Sequence, residues 1–70
     1  MYHLDEVQAA ILNHTALKLA GLKDADYQRA LEWRCSEVSG MLELARGINH
    51  PALLRFLMTH HNALRHMIAE

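Results

Sequence analysis

Apolar residues recur every three or four positions along three segments of this chain, and short glycine-containing stretches separate the segments. A period near 3.6 residues is typical of helices that bury one face. No segment shows the alternation of apolar and polar residues that marks a half-buried strand. The sequence therefore predicts an all-α fold with helices near residues 3–21, 24–46 and 50–69.

The connections between the predicted helices are short. Gly21 and Gly47 are the expected stops of the first two helices, because glycine readily adopts the left-handed conformation found beyond many helix ends. Tight turns at these glycines make the second and third helices antiparallel. Residues 1–70 are therefore expected to form one domain, either a three-helix bundle or a helical hairpin with an N-terminal helix.

The starts of the second and third helices carry side chains that can cap a helix. Asp24 or Asp26 can accept a hydrogen bond from a free backbone N–H of the second helix, and Asn49 or His50 from one of the third. Pro51 then falls in the first turn of the third helix, where its missing N–H does no harm. Both helix starts are thus indicated by capping chemistry as well as by periodicity.

Each predicted helix has an apolar stripe that is expected to form the core. The second helix has a further apolar edge at Ala30, Trp33 and Leu44, well around the helix from Leu31 and Val38. A helix that contacts two neighbours would carry two such edges. In chain order, the three stripes comprise Leu4, Val7, Ile11, Leu12, Ala16, Leu19 and Leu22, then Tyr27, Leu31, Val38, Met41, Leu42 and Ala45, then Leu54, Leu57, Leu64 and Ile68.

The balance between apolar and charged residues points to an interface. Apolar residues make up 51% of the chain and charged residues 21%, which is slightly more apolar than a typical soluble domain. A chain of this length also removes only about 60% of its unfolded surface from water on folding, so its core is small. We therefore expect the folded chain to self-associate or to bind a protein partner.

Charge and targeting signals argue against several classes of protein. The net charge is −1 with neutral histidines, so no overall positive field attracts nucleic acid or anionic lipid. No secretory signal is visible, and no apolar run approaches the roughly 18 residues that span a bilayer. Cys35 is the single cysteine, which suits a reducing compartment. A cytoplasmic protein without a membrane or nucleic-acid partner is expected.

Six histidines raise the question of a metal site. They are His3, His14, His50, His60, His61 and His66, and no two lie three or four residues apart as ligands on one helix face would. We therefore predict no metal site on a single helix, although ligands from different helices or subunits can converge.

The adjacent His60 and His61 interrupt the apolar stripe of the third helix, so one of them must lie near its buried edge. The simplest interpretation is a hydrogen-bonded core or boundary residue. The functional alternative is a pH-sensitive contact, in which nearby Arg55 and Arg65 repel a protonated imidazole.

No motif for catalysis or cofactor binding is present. Cys35 lacks a charged activator in the sequence and is expected to be a small buried apolar residue. The chain has no glycine-rich phosphate loop, nucleophile elbow or paired-carboxylate motif. We therefore expect neither enzymatic activity nor a cofactor.

The C-terminal part of the sequence resembles the small E-type co-chaperones of type III secretion. The similarity lies in residues 43–47 (ELARG), Pro51, Phe56–Leu57 and Ala63–Leu64. It implies an all-helical protein that pairs with a repeat-containing chaperone and keeps the needle subunit from polymerising in the bacterial cytosol. The residues carried over are packing and docking positions of the hairpin. Trp33 and the histidine pair have no counterpart in that family.

A docking surface is predicted on the hairpin of the second and third helices. Large apolar side chains that lie off the core stripes are expected to be anchors, with arginines as a charged rim. The alternative is that Trp33 and Phe56 pack against the first helix. The predicted protein-binding residues are Trp33, Leu44, Leu53, Arg55, Phe56 and Arg65.

These observations favour a non-enzymatic protein-binding module of the chaperone or adaptor type. The alternative is a small regulatory or inhibitory protein, of the kind that phages and mobile elements encode, which binds a host protein through an exposed aromatic side chain. A metal- or DNA-responsive regulator is the third interpretation, and neither histidine spacing nor charge supports it.

Overall fold

The structure, a computed structural model, describes residues 3–69 as three helices joined by two short turns. Helix α1 spans Leu4–Leu19, α2 spans Asp24–Gly47 and α3 spans Pro51–Ala69. The predicted all-α bundle is confirmed, and residues 3–69 contain no strand. None of the three helices is long and apolar enough to cross a membrane.

The turn between α1 and α2 contains two residues with positive φ. Gly21 has φ 76°, so its predicted role as a stop is confirmed, and Asp24 has φ 54°. The predicted cap at Asp24 or Asp26 is wrong, because the N-cap position falls on Lys23, which makes no side-chain cap bond. Both aspartates lie in the first turn of α2, where their charge stabilises the positive end of the helix dipole.

In the turn between α2 and α3 the left-handed residue is Asn49, at φ 55°, and not Gly47. The Asn49 N–H donates to the Arg46 carbonyl and the His50 N–H donates to the Ala45 carbonyl, both at 3.2 Å. This is the Schellman arrangement, and asparagine tolerates its left-handed position better than most residues. The predicted stop is confirmed within one residue, because α2 ends at Gly47, but the left-handed residue of the turn is Asn49.

His50 caps α3, which confirms one of the two predicted alternatives. The Leu53 N–H donates to Nδ1 of His50 at 3.2 Å and so satisfies a backbone donor that the first helical turn leaves free. Pro51 is the first residue of the helix, as expected. This short capped connection makes α2 and α3 an antiparallel hairpin.

The core lies between α2 and α3. The fully buried apolar side chains all belong to these two helices and fall on the predicted stripes, which confirms the periodicity there. They are Leu31, Val38, Ala45, Leu57 and Leu64, each at most 2% exposed.

Helix α1 contacts this hairpin through fewer apolar side chains than α2 and α3 use to contact each other. Ile11 and Leu19 are partly buried against the core, but Leu12 is 48% exposed. The buried side chain of α1 is that of Thr15. The predicted stripe of α1 is therefore wrong at Leu12, Ala16 and Leu22, which are exposed, because α1 turns a polar residue toward the hairpin.

Large apolar side chains remain exposed on all three helices. Trp33 and Leu44 are the largest of these on α2, with 68% and 72% of their surface in solvent. Single exposed apolar residues are ordinary, whereas several on one helix face indicate a binding surface. The exposed set comprises Leu12, Leu17, Leu22, Trp33, Leu44, Ile48, Met58 and Met67.

Replacing Leu57 with alanine is expected to lower the free energy of unfolding by about 2 to 5 kcal/mol, because the change leaves a cavity between α2 and α3. Leu17→Ala is the matched control, since Leu17 is 72% exposed, whereas Leu57 is 1% exposed. Its effect should stay within about 0.5 kcal/mol. Urea denaturation followed by circular dichroism measures both variants, and equal losses would contradict the assignment of the core.

Candidate protein-interaction site

Arg34 is buried between the helices although it carries a charge. It follows Leu31 by three residues and precedes Val38 by four, so it lies on the core-facing side of α2. Only 1% of its surface is exposed. Its guanidinium donates from Nε to the Thr15 hydroxyl at 2.8 Å and from Nη2 to the Ile11 carbonyl at 3.0 Å. These two bonds tie α2 to α1.

The hydroxyl of Thr15 joins all three helices. It donates to the Ile11 carbonyl at 3.1 Å and accepts from Arg34 Nε. Nε2 of His60, on α3, lies 2.9 Å from the same oxygen. Since the one hydroxyl hydrogen goes to Ile11, Nε2 must be the donor, which assigns the Nε2–H tautomer to neutral His60. Thr15, Arg34 and His60 together form the polar network.

Glu37 is the acidic partner of the polar network, and two cations share it. Its Oε2 accepts from Lys18 Nζ at 3.1 Å, and its Oε1 accepts from Arg34 Nη1 at 3.4 Å. The hydrogen bond from Lys18 is the main cause that lowers the pKa of Glu37 below 4.5, and Arg34 adds to this effect against the opposing effect of burial. The ionised carboxylate therefore offsets part of the charge at the α1–α2 seam.

His60 is half-buried and stacked on Phe56. The two rings are nearly parallel, with an interplanar angle of 11° and centroids 6.2 Å apart. Burial, and secondarily the charge of Arg34, lowers the pKa of His60 below 6.5. The sequence-based expectation that Arg55 and Arg65 oppose protonation is therefore corrected, because the cation facing His60 is Arg34.

Trp33 forms one wall of an open groove between the end of α1 and the start of α2. The groove has a volume of about 420 Å³. With 68% of its surface exposed, Trp33 does not fit the alternative of a core residue packed against α1. This Trp33 groove is lined by Lys18, Leu22, Asp26, Arg29, Ala30 and Trp33.

A second concavity, the Leu44 recess, lies toward the other end of α2. Its volume is about 270 Å³, and it brings together Leu44 and Leu53, two of the residues predicted to bind a partner. Leu44 and Ile48 are exposed, whereas Ala45 and Leu57 belong to the core. The recess is lined by Val7, Ile11, Met41, Leu44, Ala45, Ile48, Leu53 and Leu57.

A third cavity of about 550 Å³ lies along the α1–α2 seam. It shares Val7, Ile11 and Met41 with the Leu44 recess, so the two are adjacent. Arg34 and His14 line its polar part. Because Arg34 is 1% exposed and already hydrogen-bonded to protein atoms, this cavity is part of the α1–α2 seam rather than a separate ligand site.

The structure divides the predicted docking anchors into exposed and core-packed residues. Trp33 and Leu44 are exposed, as an anchor must be before a partner binds. Leu53 and Phe56 are half-buried and packed against the core. The premise that these two lie off the core is therefore wrong, because they flank the buried Leu57 on the inner side of α3.

The predicted rim residues Arg55 and Arg65 are both exposed on α3. Neither forms an ion pair with another residue of the range 3–69. Their charges are thus available to a partner, although the structure does not place them beside Trp33.

Arg34 and Thr15, the two residues that join α1 to the hairpin, were not predicted from the sequence. The sequence did contain a signal for Arg34, because this residue lies at core spacing between Leu31 and Val38. A charged residue at such a position is usually solvated, and only the paired hydroxyl and carbonyl on α1 make its burial favourable.

Groups that could hold a metal or perform nucleophilic chemistry do not converge. Among the described residues, no three His, Cys, Asp or Glu side chains are placed to bind one metal ion. His60 and His61 are both half-buried. Cys35 is a free thiol packed against the core, as predicted, but it is half-buried and not buried.

Comparisons with known proteins give no family assignment. No family model, curated protein or solved structure matches this chain. The similarity of the C-terminal hairpin to the E-type co-chaperones therefore stays a prediction from the sequence.

Thr15→Val keeps the shape of the side chain but removes the oxygen that Arg34 and His60 share. It is expected to lower the free energy of unfolding by about 1 to 3 kcal/mol, because a buried N–H of Arg34 loses its acceptor. Thr59→Val is the matched control, since the Thr59 hydroxyl also donates to a carbonyl four residues earlier at 3.1 Å, but on the exposed side of α3. Chemical denaturation that found equal effects would contradict the polar network.

Stability is expected to fall as the pH decreases from about 6.5, and His60 is the cause. Its pKa is lowered in the folded state, so the unfolded chain takes up a proton at a higher pH than the folded chain does. More than about one pH unit above 6.5, His60 is neutral in both states and contributes no pH dependence. The loss of stability continues until the pH falls to the lowered pKa of His60 in the folded state.

His60→Gln should therefore flatten the plot of unfolding free energy against pH between about pH 7.5 and about pH 5. His66→Gln is the control, because His66 is exposed on α3 and forms no side-chain hydrogen bond with the polar network. Denaturant titrations at each pH measure the slope. An unchanged slope in His60→Gln would show that another group causes the pH dependence.

Proposed function

We propose that this chain is a non-enzymatic protein-binding module of the chaperone or adaptor type, which docks its partner on one face of α2. The main support is the exposure of Trp33 and Leu44, at 68% and 72%, although the core closes without them. Large apolar side chains exposed on one side of a helix indicate a binding surface. Tryptophan is also among the residues most enriched at the energetic centre of interfaces.

The exposed residues lie on one side of α2. Gly40 follows Trp33 by seven residues and precedes Leu44 by four, and both spacings are close to whole numbers of helical turns. Ile48 extends the same side by a further turn. Trp33, Gly40, Leu44 and Ile48 are called the docking face. Its two anchors, Trp33 and Leu44, are about 16 Å apart along the helix axis.

The polar network supports this function by fixing α1 beside the docking face. Bonds from Arg34 to Thr15 and Ile11, and from Lys18 to Glu37, hold α1 against α2 at defined positions. Both the Trp33 groove and the Leu44 recess include side chains of α1. A surface that is formed before binding loses less conformational entropy when a partner docks.

The resemblance of the C-terminal hairpin suggests one kind of partner. We propose a repeat-containing chaperone in the bacterial cytosol, because the concave surfaces of helical repeats bind helix faces. A regulatory or inhibitory protein would use the same face against a different target.

Photo-cross-linking in cells of the source organism tests the docking face. A photoreactive phenylalanine analogue in place of Trp33 is expected to give one defined protein adduct. Leu44→Glu should abolish that adduct, because it places a charge in the same interface. Met58→Glu is the matched control, since Met58 is 50% exposed but lies on α3, and it should leave the adduct unchanged.

Circular dichroism must show the same helix content in all of these variants. Absence of an adduct, or an adduct that Leu44→Glu does not weaken, would contradict docking through this face of α2.

A further inference from the structure

We infer that a second copy of this chain occupies the docking face when no other protein is bound, paired antiparallel through α2 about a two-fold axis. The inference rests on the proposed function, because it concerns the same face, which a different partner would have to take from the second copy. It begins from one observation: the face carries both an exposed apolar side chain, Trp33, and an apolar concavity, the Leu44 recess.

The Leu44 recess fits the Trp33 side chain in size and chemistry. Its volume of about 270 Å³ exceeds that of an apolar cavity of about 150 Å³ that binds benzene, so it has room for the two-ring indole. Its lining residues are apolar throughout. Transfer of the indole from water into this recess removes apolar surface of both from solvent, which favours association.

Trp33 and the Leu44 recess are placed so that a single two-fold rotation brings each of them against its counterpart in the other copy. Trp33 and Leu44 are about 16 Å apart along α2. A two-fold axis midway between them sets Trp33 of each copy against Leu44 of the other. In such an interface each residue contact occurs twice, so one chain supplies two anchors and two recesses to the dimer.

Gly40 lies next to this axis, and nothing within a single copy requires glycine there. A Cβ at Gly40 would meet no atom within 4 Å, and its φ is not positive. Glycine inside a helix costs about 1 kcal/mol of helix propensity relative to alanine. Close approach of a second α2 explains the glycine at position 40, because two helices pack more closely where a side chain is absent.

The charges beside the docking face are compatible with this antiparallel pairing. Arg29 forms no ion pair within residues 3–69. When Trp33 faces the other copy's Leu44, Arg29 lies roughly 8 Å along the axis from the other copy's Glu43. Glu43 already pairs with Arg46 of its own chain on the surface, so Arg29 can join that pair as a second cation. Glu37 lies near the axis in both copies, but Lys18 and Arg34 of its own chain offset its charge.

The molecule has a large enough side for a stable dimer. A specific interface buries roughly 800 Å² per subunit, or about 15% of the 5241 Å² accessible surface of this chain. The two larger extents of the molecule are 37 and 21 Å. The broadest side of the molecule is therefore only about as large as such an interface, so the contact must extend from α2 onto α1.

Sedimentation equilibrium of the purified chain is the first part of the test. A dimer is expected at micromolar concentration, and Leu44→Glu should weaken it at least about thirtyfold. Met58→Glu should leave it unchanged. Circular dichroism shows whether each variant keeps its helices, which is expected because Leu44 and Met58 are both exposed.

Disulfide cross-linking tests the two-fold arrangement itself. Near the axis, Gly40 of one copy lies within about one helical turn of Gly40 of the other, close to the Cα separation of less than about 7 Å that a disulfide requires. In a Cys35→Ala background, Gly40→Cys should give a covalent dimer on oxidation. Asn62→Cys, at an exposed position of α3, should not.

A wild-type chain that stays monomeric at high micromolar concentration would overturn self-pairing. If Trp33 then still cross-links to another polypeptide in a Leu44-dependent manner, the proposed function survives without this inference. Absence of both the dimer and the adduct would overturn the two together. A dimer that is lost in Leu44→Glu but not cross-linked through Gly40→Cys would overturn the two-fold register.

Discussion

A buried guanidinium determines how the three helices fit together. Arg34 cannot lose its proton, so its burial is favourable only where its N–H groups find acceptors. Those acceptors are the Ile11 carbonyl and the Thr15 hydroxyl on α1, and the same hydroxyl reaches His60 on α3. Apolar contacts alone would let α1 slide along the hairpin, whereas directional hydrogen bonds define both its position and its rotation.

Polar groups hold the seam between α1 and α2, whereas large apolar side chains stay exposed. The fully buried apolar residues come from α2 and α3, and α1 adds only partly buried ones. The small core therefore closes without Trp33 or Leu44, which stay on the surface of α2. The polar network and the exposed docking face are thus two consequences of the same arrangement, and pairing with a second α2 would cover the face.

The fold could be predicted from the sequence because its main determinants are local. The spacing of Leu31 and Val38, and of Leu57 and Leu64, indicates helix faces directly. The polar network could not be predicted, because burial of Arg34 depends on a carbonyl and a hydroxyl that only the tertiary structure brings near. Trp33 and Leu44 were identified as candidates by their position off the stripes. Leu53 and Phe56 were misjudged, because α3 buries a wider face than its stripe suggests.

Iodide quenching of Trp33 fluorescence, measured across protein concentration, tests the central claim most directly. Trp33 is the single tryptophan, so the signal reports on the docking face alone. Iodide should quench it freely in dilute solution, where the chain is monomeric and Trp33 is 68% exposed. Quenching should then decrease with concentration in step with dimer formation. A Trp33 that is shielded at every concentration would be a core residue, and one that is quenched equally at every concentration would lie outside any interface between copies.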